Sequence, residues 1–434
     1  MSGILSCMNT GENRVFSSDS TGYDRTNIPL TVKGQCIFAF YVQPGQPRAC
    51  FDLCCSDTND GLQVLLTEQS VIIKRMSSGE TYIDKDNTSG IEHVDGIYYW
   101  ISLDSQNQRI FVGVGEPRID THKYHYQFPW TDPSSWHTNK LFMESISKLS
   151  IEDPGITPHH LLKNPIDVYV PLMIKGTHEL SMDDIAEAKY LPSANLASVS
   201  RMLYGCVSGK KFVLDDESFP DFTKAIEHSI ATPGCWCYET LQSKKDEFNP
   251  DVPNIKETYL RITLGDNDGD SPGIPYVLEI WPVGHYSPIH NHADADAIIR
   301  VLHGNINVSL YPFLSDEPDE VPPFGVADFK KDDVTWLGGG LNQTHKLKNL
   351  DDNDQTCITI QCYMYSKADN KHYDYFDYVG GDGKIEQYEP DSDKDFVAFK
   401  QKMREEWGVY CEETAARTSC YDGYWQLPFP MKYM

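Results

Sequence analysis

Residues 281–304 read WPVGHYSPIHNHADADAIIRVLHG, and two histidines in this stretch, His290 and His292, decide how the rest of the chain is read. In an extended segment, side chains two apart project from the same face, so both imidazoles point one way, as chelation requires. Gly284 stands ahead of the pair, and Gly304 closes a turn after the apolar run DAIIRVLHG. A third imidazole is available downstream in GGGLNQTHKLKN as His345, with Asn349 following it. Three neutral ring nitrogens suit Fe, Zn, Cu or Ni. They also leave coordination positions open, which marks catalytic rather than structural metal sites. The competing reading keeps the histidines as hydrogen-bonded core residues. Asp296 adds a carboxylate close to the pair, either as an extra ligand or as an acid beside the ligands or in solvent.

Around this stretch the pattern is β. From residue 257 the runs TYLRITL, IPYVLEIWPV, DAIIRVLHG, NVSLYPF and CITIQCYMY are strand-like and separated by turn residues. Ahead of them, residues 196–207 and 219–230 carry apolar residues at helical spacing, with Ser193 or Asn195 and then Ser218 as caps. Residues 391–407 predict a terminal helix. Between the first two strands, GDNDGDSPG (265–273) imitates the start of a calcium loop through Asp266, Asp268 and Asp270. Its sixth position is Ser271 and its twelfth Val277, so a solvated turn is expected. In the N-terminal third, residues 36–42, 50–55, 63–75, 98–104 and 109–115 read as short strands, the last two forming a hairpin about 105–108. Such spacing predicts a β-sandwich. Three prolines in EDPGITPHHLLKNP (152–165) predict a connection. The expected architecture is mainly β: a sandwich over 1–150, a connection over 151–190, a second all-β unit with N-terminal helices over 191–411, and a tail over 412–434.

The spacing Gly284, His290, His292, Ala297, Gly304 resembles the first motif of the cupin superfamily, G-x5-H-x-H-x4-E-x6-G. Ala297 stands where cupins usually supply a glutamate ligand. Three histidines without that glutamate resemble one branch, the cysteine dioxygenase-like thiol dioxygenases. The likeness extends to Tyr259-Leu260-Arg261, to residues 287–292 and 301–305, to His345 with Asn349, and to Tyr365-Ser366, and so spans about residues 191–411. It implies a jelly-roll barrel in which ferrous iron, Fe(II), is held by His290, His292 and His345. Arg261 would pair with a substrate carboxylate, Tyr365 would sit by the iron, and Tyr259 would shape the pocket. The reaction implied is the addition of both atoms of O2 to the sulfur of a small thiol. Taken by itself, Arg261 is equally readable as a surface or salt-bridge residue.

Departures from the family pattern are specific. Ala297 makes impossible the thioether that vertebrate members form between a cysteine at this position and the tyrosine matching Tyr365. The family's Ser-x-His-x-Tyr strand aligns with residues 361–365, where Gln361 replaces the serine and Tyr363 the histidine, so Tyr363 becomes a candidate substrate-facing residue. In the N-terminal third, residues 99–116 resemble β-sandwich modules related to farnesoic-acid methyltransferase-like domains, and no function is carried over from that likeness.

Composition bounds the rest. With 434 residues there is length for a core without disulfide staples. The 64 acidic against 37 basic side chains leave a net charge of −27, which repels phosphate backbones and argues against nucleic acid or anionic lipid as partners. No apolar run reaches the ~18 residues of a membrane span. The twelve cysteines include no C-x-x-C pair and read as buried, reduced thiols, so a cytoplasmic location is the expectation. Two functions follow. One is an Fe(II)-dependent thiol dioxygenase acting on a carboxylate-bearing thiol, most simply cysteine, with O2 as co-substrate. The other is a catalytically altered cupin that serves as a structural or interaction protein, its sandwich binding a protein or glycan partner.

Overall fold

The computed structural model describes residues 14–15, 24–46, 48–56, 58–86, 97–166, 169–264, 276–292, 295–338, 340–364 and 376–422. The chain is mainly β, with 25 strands against six α-helices among the described residues. The acidic turn at 265–273 lies outside them.

The N-terminal part consists of two six-stranded antiparallel sheets. One is ordered Arg14–Val15, Ile156–Leu162, Gln35–Val42, Tyr98–Asp104, Arg109–Val114, His122–Gln127. The other runs Ile28–Pro29, Ile146–Ser150, Arg48–Cys55, Gly61–Thr67, Ser70–Arg75, Thr81–Asp86. Alternation along Arg48–Cys55 buries Ala49, Phe51, Leu53 and Cys55 and turns the intervening residues outward. Across the layers Phe51 meets Phe38 and Phe40 edge-on, with ring centroids 5.2 Å apart. This is the sandwich that the strand spacing predicts.

Residues 151–190 are not the bare connection expected of them. Ile156–Leu162 pairs along its length with Gln35–Val42, and Met173–Lys175 and Tyr190–Pro192 join the large sheet of the C-terminal part. The prolines mislead because Pro158 sits at a register shift, where a missing N–H is tolerated. A helix at Pro133–Ser145 also escapes the apolar periodicity, since only Phe142 and Met143 are buried on it. Its signal is the cap: Asp132 accepts hydrogen bonds from the Ser134 and Ser135 N–H groups, with Pro133 opening the helix.

The C-terminal part is built on an eight-stranded sheet ordered Tyr190–Pro192, Met173–Lys175, Val334–Leu337, Asp296–His303, Cys357–Met364, Tyr276–Trp281, Leu260–Leu264, Lys394–Asp395. Opposed to it are a three-stranded sheet (Gly325–Lys330, Asn305–Tyr311, Thr344–Lys348) and the hairpin Phe376–Val379 with Ile385–Tyr388. The sheets stay open to one another, and among the described residues no ladder closes them into one ring. Both faces of the large sheet are covered, which explains why its strands read as nearly continuous apolar runs. Outward residues such as Ile262, Leu278, Ile280, Ile298 and Ile360 share one core with the helices Ser198–Val207, Phe222–Ala231 and Phe396–Asp422. That same core takes in Ile37, Ala39 and Trp100 of the sandwich, so the two parts share apolar burial.

Gly304 and Gly115 answer to close approach. A Cβ on Gly304 would lie 2.4 Å from the Thr356 carbonyl, at a φ of +69°. Gly115, at φ +74°, is where the sandwich touches the C-terminal part, and a Cβ there would lie 2.2 Å from the Pro312 carbonyl. Gly115→Ala therefore combines left-handed strain of about 1–2 kcal/mol with a backbone clash. The expected loss is about 2 kcal/mol or more, read as a lowered urea midpoint at constant slope.

Candidate metal centre

His290 occupies a seam. Its N–H donates to the His345 carbonyl at 3.0 Å, and the His345 N–H returns the bond at 2.9 Å. On the other side His290 bridges Tyr378, while the Asn291 N–H donates to Asp377 and the Val379 N–H to Ile289. Backbone ladders thus fix the HxH segment against the strand that carries the third histidine. The ring nitrogens converge: His345 Nε2 lies 3.2 Å from His290 Nε2 and 3.3 Å from His292 Nε2. Together these three residues form a group whose donor atoms could hold one metal ion.

Their electrostatics favour the neutral, ligating form. His290 and His345 are each 6% exposed, and His292 keeps partial exposure. Burial lowers the His290 imidazole to about 4 and holds His292 and His345 well below the ordinary value. The His290 Nδ1–H donates to the Pro288 carbonyl at 3.1 Å, which leaves Nε2 with its lone pair directed at the cluster. A hydrogen bond with the Asn342 main chain anchors the His345 ring. With no thiolate or carboxylate in the set, the donors fit an imidazole-accepting transition metal with open positions.

The three histidines line a cleft of about 930 Å³, counted with the solvent at its mouth. Strand alternation determines what faces it. Arg261 points inward between the outward Leu260 and Ile262, Glu279 between Leu278 and Ile280, and Gln361 and Tyr363 on either side of the buried Cys362. Tyr259, Arg261 and Tyr363 therefore line the same cavity as the three histidines. Tyr259 stacks on Trp281 at 4.2 Å, and burial keeps its phenol protonated. Tyr363 stacks beside His292 at 5.8 Å. Phe376 closes the apolar wall, its ring 4.9 Å from that of His290. Arg261 Nη1 donates to the Pro390 carbonyl at 3.3 Å, and its N–H donates to Asp393 at 2.7 Å.

Asp296 is placed elsewhere, which corrects its reading as a ligand or a neighbour of the ligands. It stands next to the inward Ala297, so strand parity turns it to the helix side, where it accepts the Ser200 hydroxyl at 2.6 Å. Asn349 is a latch and not a donor to the cluster, giving its amide to the Trp281 and Gln355 carbonyls. Asn342, which begins an N-x-T sequon, is 2% exposed and donates to the Trp336 carbonyl. Tyr365 and Ser366 lie outside the described residues. The ten cysteines whose side chains are described are free, and burial pushes Cys36 up to about 12.

Glu279 was missed. It stands directly opposite Arg261 in the strand register and is 8% exposed. Gln361 Nε2 donates to Glu279, and the Tyr363 hydroxyl donates to the Gln361 carbonyl oxygen. The signal was available as a lone charge in the apolar run YVLEIW. Burial pushes Glu279 up to about 7, opposed by Arg261 and Gln361. A folded-state value above the unfolded one means that this group favours the fold below pH ~4.5 and that its contribution is lost as pH rises through 7. Glu279→Gln is therefore expected to remove this pH dependence: the metal-free unmutated protein loses up to ~3 kcal/mol between pH 4 and pH 8 through this group, and the variant does not. Thermal melts at the two pH values check this.

The chain matches no protein-family model. Its sequence is similar to cysteine dioxygenase type 1 of Rattus norvegicus and of Mus musculus, each 19% identical over 176 residues, covering 41% of this chain and 76% of the relative. Among solved structures it is similar to the Cnp3 cupin domain of Schizosaccharomyces pombe, at 16% identity and a TM-score of 0.20, covering 28% of this chain and 74% of that one. It is also similar to a cupin-like protein of Thermotoga maritima, at 13% identity and a TM-score of 0.21, with the same coverages. No helix among the described residues is long and apolar enough to cross a membrane.

Proposed function

We propose that this chain is an Fe(II)-dependent thiol dioxygenase that converts a small carboxylate-bearing thiol, cysteine foremost, to its sulfinic acid. The observation that carries the reading is the meeting of three neutral imidazoles with one half-buried guanidinium in a single cleft. His290, His292 and His345 would hold the iron, and iron so held supplies a redox-active centre with open positions for a thiol and O2. Arg261 offers the carboxylate a planar, charge-assisted partner. Glu279 balances that guanidinium, so an empty pocket does not bury a lone cation and an incoming zwitterion meets both signs. Tyr363, tied to Gln361 and stacked by His292, fixes one wall. Phe376, Ile299 and Val301 add apolar surface to the lining.

The test is protein loaded anaerobically with Fe(II) and then given cysteine and air. Oxygen uptake with formation of cysteine sulfinate supports the reading. Iron binding without uptake for any small thiol defeats it. That result would favour the structural role, for which the replacement of the family's serine and histidine by Gln361 and Tyr363 is the specific observation.

A further inference from the structure

The sandwich reaches the metal loop through two buried charges. Glu116 and Arg118, just after the strand Arg109–Val114, are 2% and 3% exposed. Arg118 Nη1 donates to Glu116 Oε1 at 3.0 Å and also to Asn342 Oδ1. Its Nη2 donates to the Val170 carbonyl at 3.0 Å, and its guanidinium lies 5.0 Å from the centre of the Phe324 ring. The other oxygen of Glu116 accepts the Gln343 N–H at 3.3 Å, and a further hydrogen bond joins Glu116 to the Asn342 main chain. A buried ion pair persists only where its other donors and acceptors are met; here Asn342 and Gln343 meet several of them, Val170 another, and Arg118 Nε faces Asp120 Oδ2 at 3.5 Å.

Asn342 is the joint. Its φ of +61° is left-handed, a conformation that asparagine tolerates better than most residues with a Cβ. Its side chain is fixed at both ends, by Arg118 and by the Trp336 carbonyl, and its main chain bonds the His345 ring. One residue therefore separates the sandwich's charge pair from the third histidine. Hydrogen-bond partners of a ligating histidine set its ring orientation and basicity, and losing one weakens metal binding by roughly 10- to 100-fold.

We propose that Glu116 and Arg118 are positioning residues for the metal centre: the N-terminal sandwich clamps the 342–343 loop and thereby holds His345 in its ligating orientation. This rests on the reading of the three histidines as metal ligands but not on the identity of the thiol. It gives the N-terminal part a task within the same site and needs no separate ligand.

The experiment uses the full chain and Co(II) alone, with affinity measured by competition against a chromophoric chelator and geometry read from the d–d absorption. Glu116→Gln/Arg118→Met removes both charges together, so that neither is left buried alone. Asn342→Gly keeps the left-handed backbone, cuts the link to Arg118 and guards against misfolding of the double variant. Each is expected to bind Co(II) roughly 10- to 100-fold more weakly, with an altered d–d band, while urea unfolding stays cooperative. A merely adhesive role for the pair would lower the urea midpoint and leave the band unmoved. Affinity within about two-fold and an unchanged band in a folded variant overturn the clamp alone. Failure of the unmutated protein to bind Co(II) overturns the metal reading and the clamp with it.

Discussion

His345→Ala is expected to abolish turnover by removing metal, with little change in the fold. His345 is the only one of the three histidines on the opposing three-stranded sheet, and its Nε2 lies within 3.3 Å of both of the others. Without it, His290 and His292 form a two-nitrogen site, which is too few donors to retain a divalent ion against dilution. The side chain leaves behind a small void beside the His290 and His292 rings, while the backbone pair with His290 remains. The far-UV spectrum should be retained, metal content after gel filtration should fall to background, and the oxidation rate should fall at least about a thousand-fold. Retained metal at full occupancy would show that the ion lies elsewhere.

The second large effect is expected at Arg261. A buried, charge-assisted pair between guanidinium and carboxylate loses about 2–5 kcal/mol when one partner is truncated, which is roughly 30-fold to several thousand-fold in affinity. Arg261→Ala should therefore raise KM for cysteine by that order and should leave a thiol without a carboxylate, such as cysteamine, nearly unchanged. The variant does not strand Glu279. With the guanidinium gone, burial drives that carboxyl further up and it takes a proton. Steady-state kinetics with the two thiols check the prediction. Equal losses for both would assign Arg261 a structural role through Pro390 and Asp393.

What could be read from the sequence follows the range of each signal. The histidine pair was legible because HxH spacing alone puts two imidazoles on one face, and strand periodicity gave both β-rich parts. Arg261 could be connected to the histidines only by resemblance, since its approach to the cluster depends on the pairing of Leu260–Leu264 with Tyr276–Trp281. Asp296 was misplaced by proximity in sequence: one residue along a strand reverses the face. Glu116 and Arg118 carried no local signal at all. Their partners at residues 342 and 343 lie more than 220 residues away and appear only when the sandwich packs against that loop. Glu279 was the reverse case, a charge whose apolar neighbours announced its burial.

The central claim is that this cleft adds both atoms of dioxygen to one sulfur. Fe(II)-loaded protein turning over cysteine under 18O2 in ordinary water measures this directly, by mass spectrometry of the product. Cysteine sulfinate carrying two labelled oxygens is the expected product. A product with one labelled oxygen, cystine alone, or no product from iron-replete protein would contradict it.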